Sequence, residues 1–126
     1  MKYAVIDVGS NTVRLCVYDV LCPEKRKFKT IMNRKIMAGL AAYIVDGAFS
    51  DEGIAEAILA VKKCIKRASY LSPDRIDVFA TAVLRNISNS AQAIAAIEQG
   101  AGCSISLLSN TVSASRSNST DAEART

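Results

Sequence analysis

The sequence predicts a layered α/β domain built on a mixed sheet, and three observations support this fold class. Three strand-like segments open the chain, and then helical and strand-like segments alternate up to residue 108. Strands that are joined by helices favour an α/β arrangement. A short polar turn separates the first two strands, which predicts an antiparallel hairpin and therefore a mixed sheet. Half of the 126 residues are hydrophobic and 22% are charged, which is typical of a globular domain.

The opening strands are predicted from apolar runs and from alternation. Lys2–Val8 is apolar enough for a buried strand, and Val13–Val20 alternates as a second strand. Pro23 interrupts the chain, and Lys25–Ile36 alternates well enough for a third strand. The side chains expected on one face are Val13, Leu15 and Val17 in the second strand and Phe28, Thr30 and Met32 in the third.

The first long helix is predicted to follow a loop over residues 39–50. Ser50 is a good N-cap, and the acids Asp51 and Glu52 suit the positive end of a helix. The helix is expected to run to about Tyr70, because Pro73 stops it. The side chains expected to form its buried stripe are Ile54, Ile58, Val61, Ile65 and Ala68.

The rest of the chain is predicted as strand, loop, helix and strand. Arg75–Ala80 is a strand and Thr81–Ser88 a loop. A helix capped by Ser90 or Ser88 runs through Glu98, and a last strand covers Ser104–Leu108. Gly100 and Gly102 end that helix, whose buried side chains are expected to be Ala91, Ile94 and Ile97. The Ser-rich residues 109–126 are expected to be weakly ordered.

Composition excludes several classes of protein. No apolar run reaches the roughly 18 residues of a membrane helix, and the N-terminus lacks the layout of a signal peptide, so a cytoplasmic location is expected. The chain has no His, and its four cysteines form no C-x-x-C pair, which argues against a Cys/His metal site and against His-based catalysis. Cys16 and Cys64 lie in apolar segments and are expected to be buried free thiols.

Basic residues are concentrated in two clusters in this chain of net charge +4. The first cluster is Lys25, Arg26, Lys27, Lys29, Arg34 and Lys35, and the second is Lys62, Lys63, Lys66 and Arg67. Such clusters attract polyanions. They are also ordinary on solvated faces, so the sequence leaves both interpretations open.

The first candidate site is the turn that follows Lys2–Val8. The segment Asp7-Val8-Gly9-Ser10-Asn11-Thr12 brings a carboxylate to the end of a strand and then a glycine and small polar side chains. Successive N–H groups in a turn make an anion-binding concavity, and a carboxylate can hold Mg²⁺ or orient a water. The same residue types also make a plain hairpin turn.

The second candidate site is the segment Phe79–Asn86, which again leaves the end of a strand. Ligands of open α/β sheets gather outside the carboxyl ends of strands, and Arg85 offers a planar fork that suits phosphate. Alternatively, Arg85 is an exposed residue at the start of a helix. Arg14, in the second strand, is expected to face solvent or to form a structural pair.

Two motifs resemble those of the exopolyphosphatase/guanosine-pentaphosphate phosphatase (Ppx/GppA) family. Val5–Leu15, which reads VIDVGSNTVRL, resembles the opening of that family, and Ala80–Arg85, which reads ATAVLR, is similar to its second motif. The segment Leu40–Gly53 between them is similar to the family's loop into the first helix. The likeness spans residues 3 to about 109, and its specificity comes from the two motifs occurring together.

The resemblance implies an actin-like, ribonuclease-H-related lobe with flanking helices, one of two lobes that flank a cleft. It implies that residues 1–108 are the N-terminal lobe, that residues 109–126 are a tail and that the second lobe is absent. Carried over by motif, Asp7 would bind Mg²⁺, and the phosphate-binding residues would be Gly9, Ser10, Asn11, Thr12 and Arg85. The implied reaction releases terminal phosphate from polyphosphate or from guanosine pentaphosphate by attack of water.

The chain departs from the family pattern after its last strand. The family has an acidic motif there, whose Glu is the general base, whereas here Asn110–Thr120 contains no acid and Glu123 follows in Glu-Ala-Arg. Glu123 is therefore the candidate base, displaced by an insertion. The family's second phosphate loop is missing, so we expect this chain to be inactive alone.

Two alternatives to the enzyme lobe remain. One is a lobe that binds polyphosphate or a guanine alarmone without chemistry, and the other is a lobe of another actin-like phosphotransferase. The expected partners are these phosphate compounds and either a second copy of the chain, through an exposed apolar helical face, or a missing C-terminal lobe. Neither a membrane nor a specific nucleic acid is expected.

Overall fold

The protein is described from a computed structural model, which covers residues 1–107. Its elements are, in chain order, β1 (Lys2–Val8), β2 (Val13–Cys22), β3 (Lys27–Ile36), β4 (Ile44–Val45), β5 (Ala48–Phe49), α1 (Asp51–Ser69), β6 (Arg75–Ala80), α2 (Ala82–Arg85), α3 (Ser90–Ala101) and β7 (Ile105–Leu107). Short 3₁₀ turns span Pro23–Lys25 and Leu40–Tyr43. The predicted tail, residues 109–126, lies outside the described residues.

The main sheet has five strands in the order β3-β2-β1-β6-β7. The pairs β1–β2 and β2–β3 are antiparallel, whereas β1–β6 and β6–β7 are parallel. The predicted mixed five-stranded sheet is therefore confirmed. The strand bounds agree with the prediction to within about two residues, since the apolar runs that predict the strands are also the residues that the sheet buries.

The hydrophobic core lies between one face of the sheet and the helices. Ala4, Ile6 and Val8 of β1 alternate into it and are fully buried, as are the predicted inward residues of β2. The predicted buried stripe of α1 is confirmed for Val61 and Ala68. It is wrong for Ile54, Ile58 and Ile65, which are only half-buried beside smaller residues that face the sheet. The buried set is Gly53, Ala57, Ala60, Val61, Cys64 and Ala68. Small side chains let the helix approach the strands closely, which hydrophobic periodicity does not show.

The opposite face of the sheet carries no helix within residues 1–107. Its central side chains Val5, Cys16 and Phe79 are only half-buried. An exposed apolar face on the helices was expected. Of the large hydrophobic side chains in α1–α3, Leu59 is the one that is exposed, at 54%. Self-association of the chain stays a prediction.

The third strand also differs from the prediction. Phe28 is 55% exposed and packs edge-on against the ring of Tyr18, with 5.5 Å between centroids. Ile31, Met32 and Ile36 are the β3 side chains that pack against the core. An irregularity in register between Val17 and Tyr18 moves the face of β3 that meets the core, and simple alternation cannot predict such a shift.

Two segments predicted as loops contain regular structure. Residues 39–50 hold the 3₁₀ turn and the β4–β5 hairpin, and residues 81–88 hold α2. Both elements are too short to show a clear periodicity. The Ser50 cap is confirmed, since its Oγ accepts the N–H of Gly53 at 3.1 Å.

The start of α3 is fixed differently from the prediction. Asn89 occupies the N-cap position without a capping bond, because its side-chain amide accepts the N–H of Phe49 at 2.9 Å and donates to the Phe49 carbonyl at 3.0 Å. Ser90 Oγ donates to the carbonyl oxygen of Leu84 instead of capping the helix. The helix continues past Gly100 and ends at Gly102, whose φ is 71°. Its buried residues are Ala93 and Ile97, with Ile94 half-buried and Ala91 exposed.

Candidate functional site

The two candidate loops lie next to each other at one end of the sheet. β1 and β6 are parallel neighbours in register from Tyr3–Arg75 to Val8–Ala80, so both strands end at the same edge. The N–H of Thr81 donates to the carbonyl oxygen of Val8 at 3.3 Å, which ties the start of the second loop to the start of the first. The topology thus brings together the residues 9–12 and 81–85, which are about 70 positions apart in the chain.

The turn over residues 9–12 presents backbone donors. It closes by a bond from the N–H of Gly9 to the carbonyl oxygen of Thr12 at 3.0 Å. The N–H groups of Ser10, Asn11 and Thr12 form no backbone hydrogen bond within residues 1–107. Asn11 is exposed and its two neighbours are half-buried. Adjacent unpaired N–H groups in a tight turn form a partial positive charge that suits an anion.

A segment that the sequence did not single out holds this turn in place. The N–H of Gly39 donates to the carbonyl oxygen of Asn11 at 2.9 Å, and the N–H of Ala41 donates to that of Ser10 at 2.8 Å. Because these bonds occupy the carbonyl oxygens of Ser10 and Asn11, those oxygens point towards residues 39–41. Gly39 has φ of 60°, which a glycine adopts without strain. In the sequence, this glycine was the feature that could have indicated a special backbone conformation at this point.

Arg85 reaches the same end of the sheet on the short helix α2. The N–H groups of Leu84 and Arg85 donate to the carbonyl oxygen of Thr81, each at 3.2 Å. Val83 and Leu84 are buried in the core and anchor the helix, while Arg85 is half-buried in its last turn. The prediction of a loop after β6 was therefore wrong, because these residues form the helix α2. Arg85 nevertheless lies at the edge of the sheet where it was predicted.

Asp7 lies on the face of the sheet that the helices leave open. It is exposed, and its neighbours across the sheet are Arg14 on β2 and Phe79 on β6. Arg14 Nη1 donates to Asn33 Oδ1 at 2.9 Å, so the structural pair expected for Arg14 is present. Residues 1–107 contain no group of three His, Cys, Asp or Glu that could enclose a metal ion. Asp7 therefore belongs to no such group of three within the described residues.

Other features of the described residues lie away from this edge. A surface pocket of about 350 Å³ is lined by Ile65, Ile76, Cys103 and Ser104 among others, and none of the predicted site residues contributes to it. Burial raises the pKa of the Cys64 thiol to about 11, and burial followed by the charge of Glu98 raises the pKa of Cys103. A raised pKa makes the reactive thiolate form of these two cysteines rarer at neutral pH. Glu123, the predicted base, lies outside the described residues.

The chain is similar to one family in sequence and to several solved structures in fold. A model of the Ppx/GppA phosphatase family matches residues 21–117, which include the second motif and not the turn over residues 9–12. No curated protein matches the chain. Among the helices of residues 1–107, none combines the length and the apolar character required to span a membrane.

Two solved structures named for this family align over most of the chain. The Ppx/GppA phosphatase of Aquifex aeolicus is 22% identical with a TM-score of 0.77, covering 87% of this chain and 36% of its own. An exopolyphosphatase from Cytophaga hutchinsonii is 24% identical with a TM-score of 0.76, covering 86% and 34%. The ethanolamine utilization protein EutJ from Carboxydothermus hydrogenoformans is 18% identical with a TM-score of 0.56, covering 95% and 41%.

These matches confirm the predicted fold class, an actin-like α/β fold with a mixed five-stranded sheet. The chain spans about a third of the length of these two phosphatases.

Proposed function

Because the chain belongs to the Ppx/GppA phosphatase family, we propose that it is the N-terminal lobe of a phosphohydrolase that releases terminal phosphate from linear polyphosphate or guanosine pentaphosphate. The observation that carries the proposal is the pairing of β1 with β6, which sets the donor-rich turn beside the segment that ends at Arg85. A terminal phosphate is a compact, multiply charged anion. A turn of N–H donors and an arginine at the same edge of the sheet suit it better than they suit an uncharged ligand.

In this proposal the protein acts by positioning and by charge stabilisation. In the proposal the N–H groups of Ser10, Asn11 and Thr12 and the exposed side-chain amide of Asn11 donate to oxygens of the terminal phosphate. The guanidinium of Arg85 stabilises the negative charge that develops on these oxygens. A water oxygen then bonds to the terminal phosphorus while the bridging P–O bond breaks. The products are inorganic phosphate and a substrate shorter by one phosphate. The proposed base, Glu123, would take the proton from that water.

The carboxylate of Asp7 has the donor chemistry that a magnesium ion would need. Mg²⁺ in phosphate sites is usually bound by one or two carboxylates, with water and phosphate oxygens completing its shell. Asp7 supplies one such exposed carboxylate. When bound, the ion would neutralise phosphate charge, and Asp7 is the residue proposed to hold it.

The test is binding of tripolyphosphate with Mg²⁺, measured by calorimetry. Arg85→Ala should weaken binding about tenfold or more, because a charge-assisted hydrogen bond contributes about 1.5–3 kcal/mol. Asn11→Ala should also weaken it, whereas Arg67→Ala, which removes an exposed arginine from α1, should not. Unchanged affinity in both site variants would show that the two loops are not the binding site.

The enzyme assignment is tested by phosphate release. We expect no robust release by this chain alone and release by a longer natural protein that contains it. No release by the longer protein would contradict the assignment, and rapid release by this chain would contradict its proposed dependence on a second lobe. Competition between tripolyphosphate and guanosine pentaphosphate would rank the two substrates.

A second candidate is a lobe that binds these anions without chemistry. It is favoured by the finding that residues 1–107 contain no group of three His, Cys, Asp or Glu side chains, since a catalytic site needs carboxylates both for metal binding and for general base catalysis. Tight binding with Mg²⁺ in the longer protein, without any release of phosphate, would support this alternative.

A further inference from the structure

The edge strand β3 and the turn before it carry charges of one sign only, all of them positive after Glu24. Every charged residue among residues 25–45 is basic, and the first acid after Glu24 is Asp46. The basic residues are Lys25, Arg26, Lys27, Lys29, Arg34 and Lys35, and all of them are exposed. We call this set the basic edge.

The basic edge is not neutralised by the protein. Within residues 1–107 none of its side chains takes part in a salt bridge. Asp19 is the cross-strand neighbour of Lys29, but its carboxylate lies 3.5 Å from the N-terminal ammonium of Met1. Cations that are not paired internally retain their full attraction for an external polyanion.

The basic edge leads to the candidate site. β3 has ten residues and therefore extends for about 30 Å. Its far end carries Lys27 and Lys29, and its near end pairs Ile36 with Val13, directly after the turn over residues 9–12. Three residues beyond Ile36, the N–H of Gly39 binds the Asn11 carbonyl. The charges thus follow one strand from a distant point to the proposed phosphate turn.

The backbone of β3 strengthens this arrangement. Among residues 1–107, β3 is an edge of the sheet, so the N–H groups on its outer side have no neighbouring strand to bind within this part of the chain. The basic side chains of the strand lie in two groups, Lys27 with Lys29 at one end and Arg34 with Lys35 at the other, and the edge backbone runs between them. Ammonium, guanidinium and outward N–H groups all donate to anionic oxygens. A linear anion with a charge at every repeat fits such a track, whereas a compact anion occupies only one point of it.

We propose that the basic edge binds the body of a linear polyphosphate whose terminal phosphate occupies the turn over residues 9–12. This inference rests on the proposed function and extends it, because it assigns a second contact region that favours long chains over short ones. The competing explanation is that the charges only prevent another strand from pairing with the edge. That explanation predicts no dependence on the length of the anion.

The experiment compares tripolyphosphate with long-chain polyphosphate as competitors for binding to the 126-residue chain. Lys27→Gln combined with Lys29→Gln should weaken the long chain about fivefold, because exposed charge contacts contribute up to about 1 kcal/mol each. The same variant should leave tripolyphosphate unchanged. Replacing both residues by Arg should retain the affinity for the long chain.

The matched control is Lys62→Gln combined with Lys63→Gln, which removes the same charge from exposed positions on α1. This control should leave both affinities unchanged. Equal losses in the two double variants would overturn the proposal, since net charge alone would then explain binding. An oligonucleotide of matched charge that competes as well as long polyphosphate would overturn the assignment to polyphosphate.

Failure of this proposal differs from failure of the proposed function. If Arg85→Ala weakens both anions while the β3 variant weakens neither, the basic edge is refuted and the site stands. If the β3 variant weakens the long chain while Arg85→Ala and Asn11→Ala change nothing, the edge binds polyphosphate and the proposed site is refuted.

Discussion

The hydrogen bond from the N–H of Thr81 to the carbonyl oxygen of Val8, at 3.3 Å, joins the ends of two parallel strands. It places residues from the two recognisable motifs at one edge of the sheet. The first motif supplies the backbone N–H groups of the turn over residues 9–12, and the second supplies Arg85. Their adjacency, which depends on β6 pairing with β1 rather than with another strand, makes an anion site physically reasonable.

Gly9 should matter to the site more than to the fold. A Cβ at this position would lie 3.1 Å from the Thr12 carbonyl oxygen, so Gly9→Ala must open the turn slightly. We expect weaker tripolyphosphate binding, measured by calorimetry, and a loss of about 1 kcal/mol in the free energy of unfolding.

The matched control for Gly9 is Gly102→Ala. Gly102 has φ of 71° at the end of α3, remote from the turn, so its substitution should cost similar stability without changing binding. Equal binding by the Gly9 and Gly102 variants would show that the geometry of the turn is unimportant for the anion.

Gly53 in α1 and Gly100 in α3 should differ in how replacement by alanine changes the stability of the fold. A Cβ on Gly53 would lie 2.5 Å from the Phe49 ring and 2.5 Å from Tyr43 Cβ, so Gly53→Ala should lower the free energy of unfolding by about 1–3 kcal/mol. A Cβ on Gly100 would meet the flexible end of Ile58 at 2.6 Å. Since Ala is favoured over Gly in a helix by about 1 kcal/mol, Gly100→Ala should be close to neutral. Urea denaturation of both variants checks the contrast, and a larger loss for Gly100→Ala would contradict it.

Asn89 should be a stability residue. Its amide satisfies both backbone groups of Phe49, so Asn89→Ala leaves a donor and an acceptor of β5 without a partner. We expect a loss of about 1–3 kcal/mol in the free energy of unfolding. Asn86→Ala, at an exposed position three residues earlier, serves as the control and should change little. Thermal melts that cannot distinguish the two variants would argue against this role.

Cys64 should make stability depend on alkaline pH. Burial raises its pKa from 9.0 to about 11, while the charge of Arg67 opposes part of that rise. Between these pH values the unfolded chain loses a proton that the folded chain retains, so stability present below pH 9 is lost as pH rises towards 11. Melting temperatures of the wild type and Cys64→Ala across this range isolate the effect, because other titrating groups are common to both. Parallel curves would show that the thiol is not protected by folding.

The strands and the main helix were largely readable from local pattern. Apolar runs and alternation located β1, β2 and β6, and the Ser50 cap with its following acids located the start of α1 to the residue. These features depend on neighbours within a few positions, which is why one sequence suffices for them. The two candidate loops were singled out in the same way, by their residue types at strand ends.

Only the tertiary structure decided which elements meet. The register of β1 against β6 brought the turn over residues 9–12 to Thr81, and the contact from Gly39 to Asn11 fixed the direction of the turn's donors. The face of α1 that is buried and the use of the Asn89 amide on β5 were likewise set by distant partners. Such pairings arise from packing and hydrogen bonding between residues far apart in the chain, and a local pattern carries no information about which distant residue will be the partner.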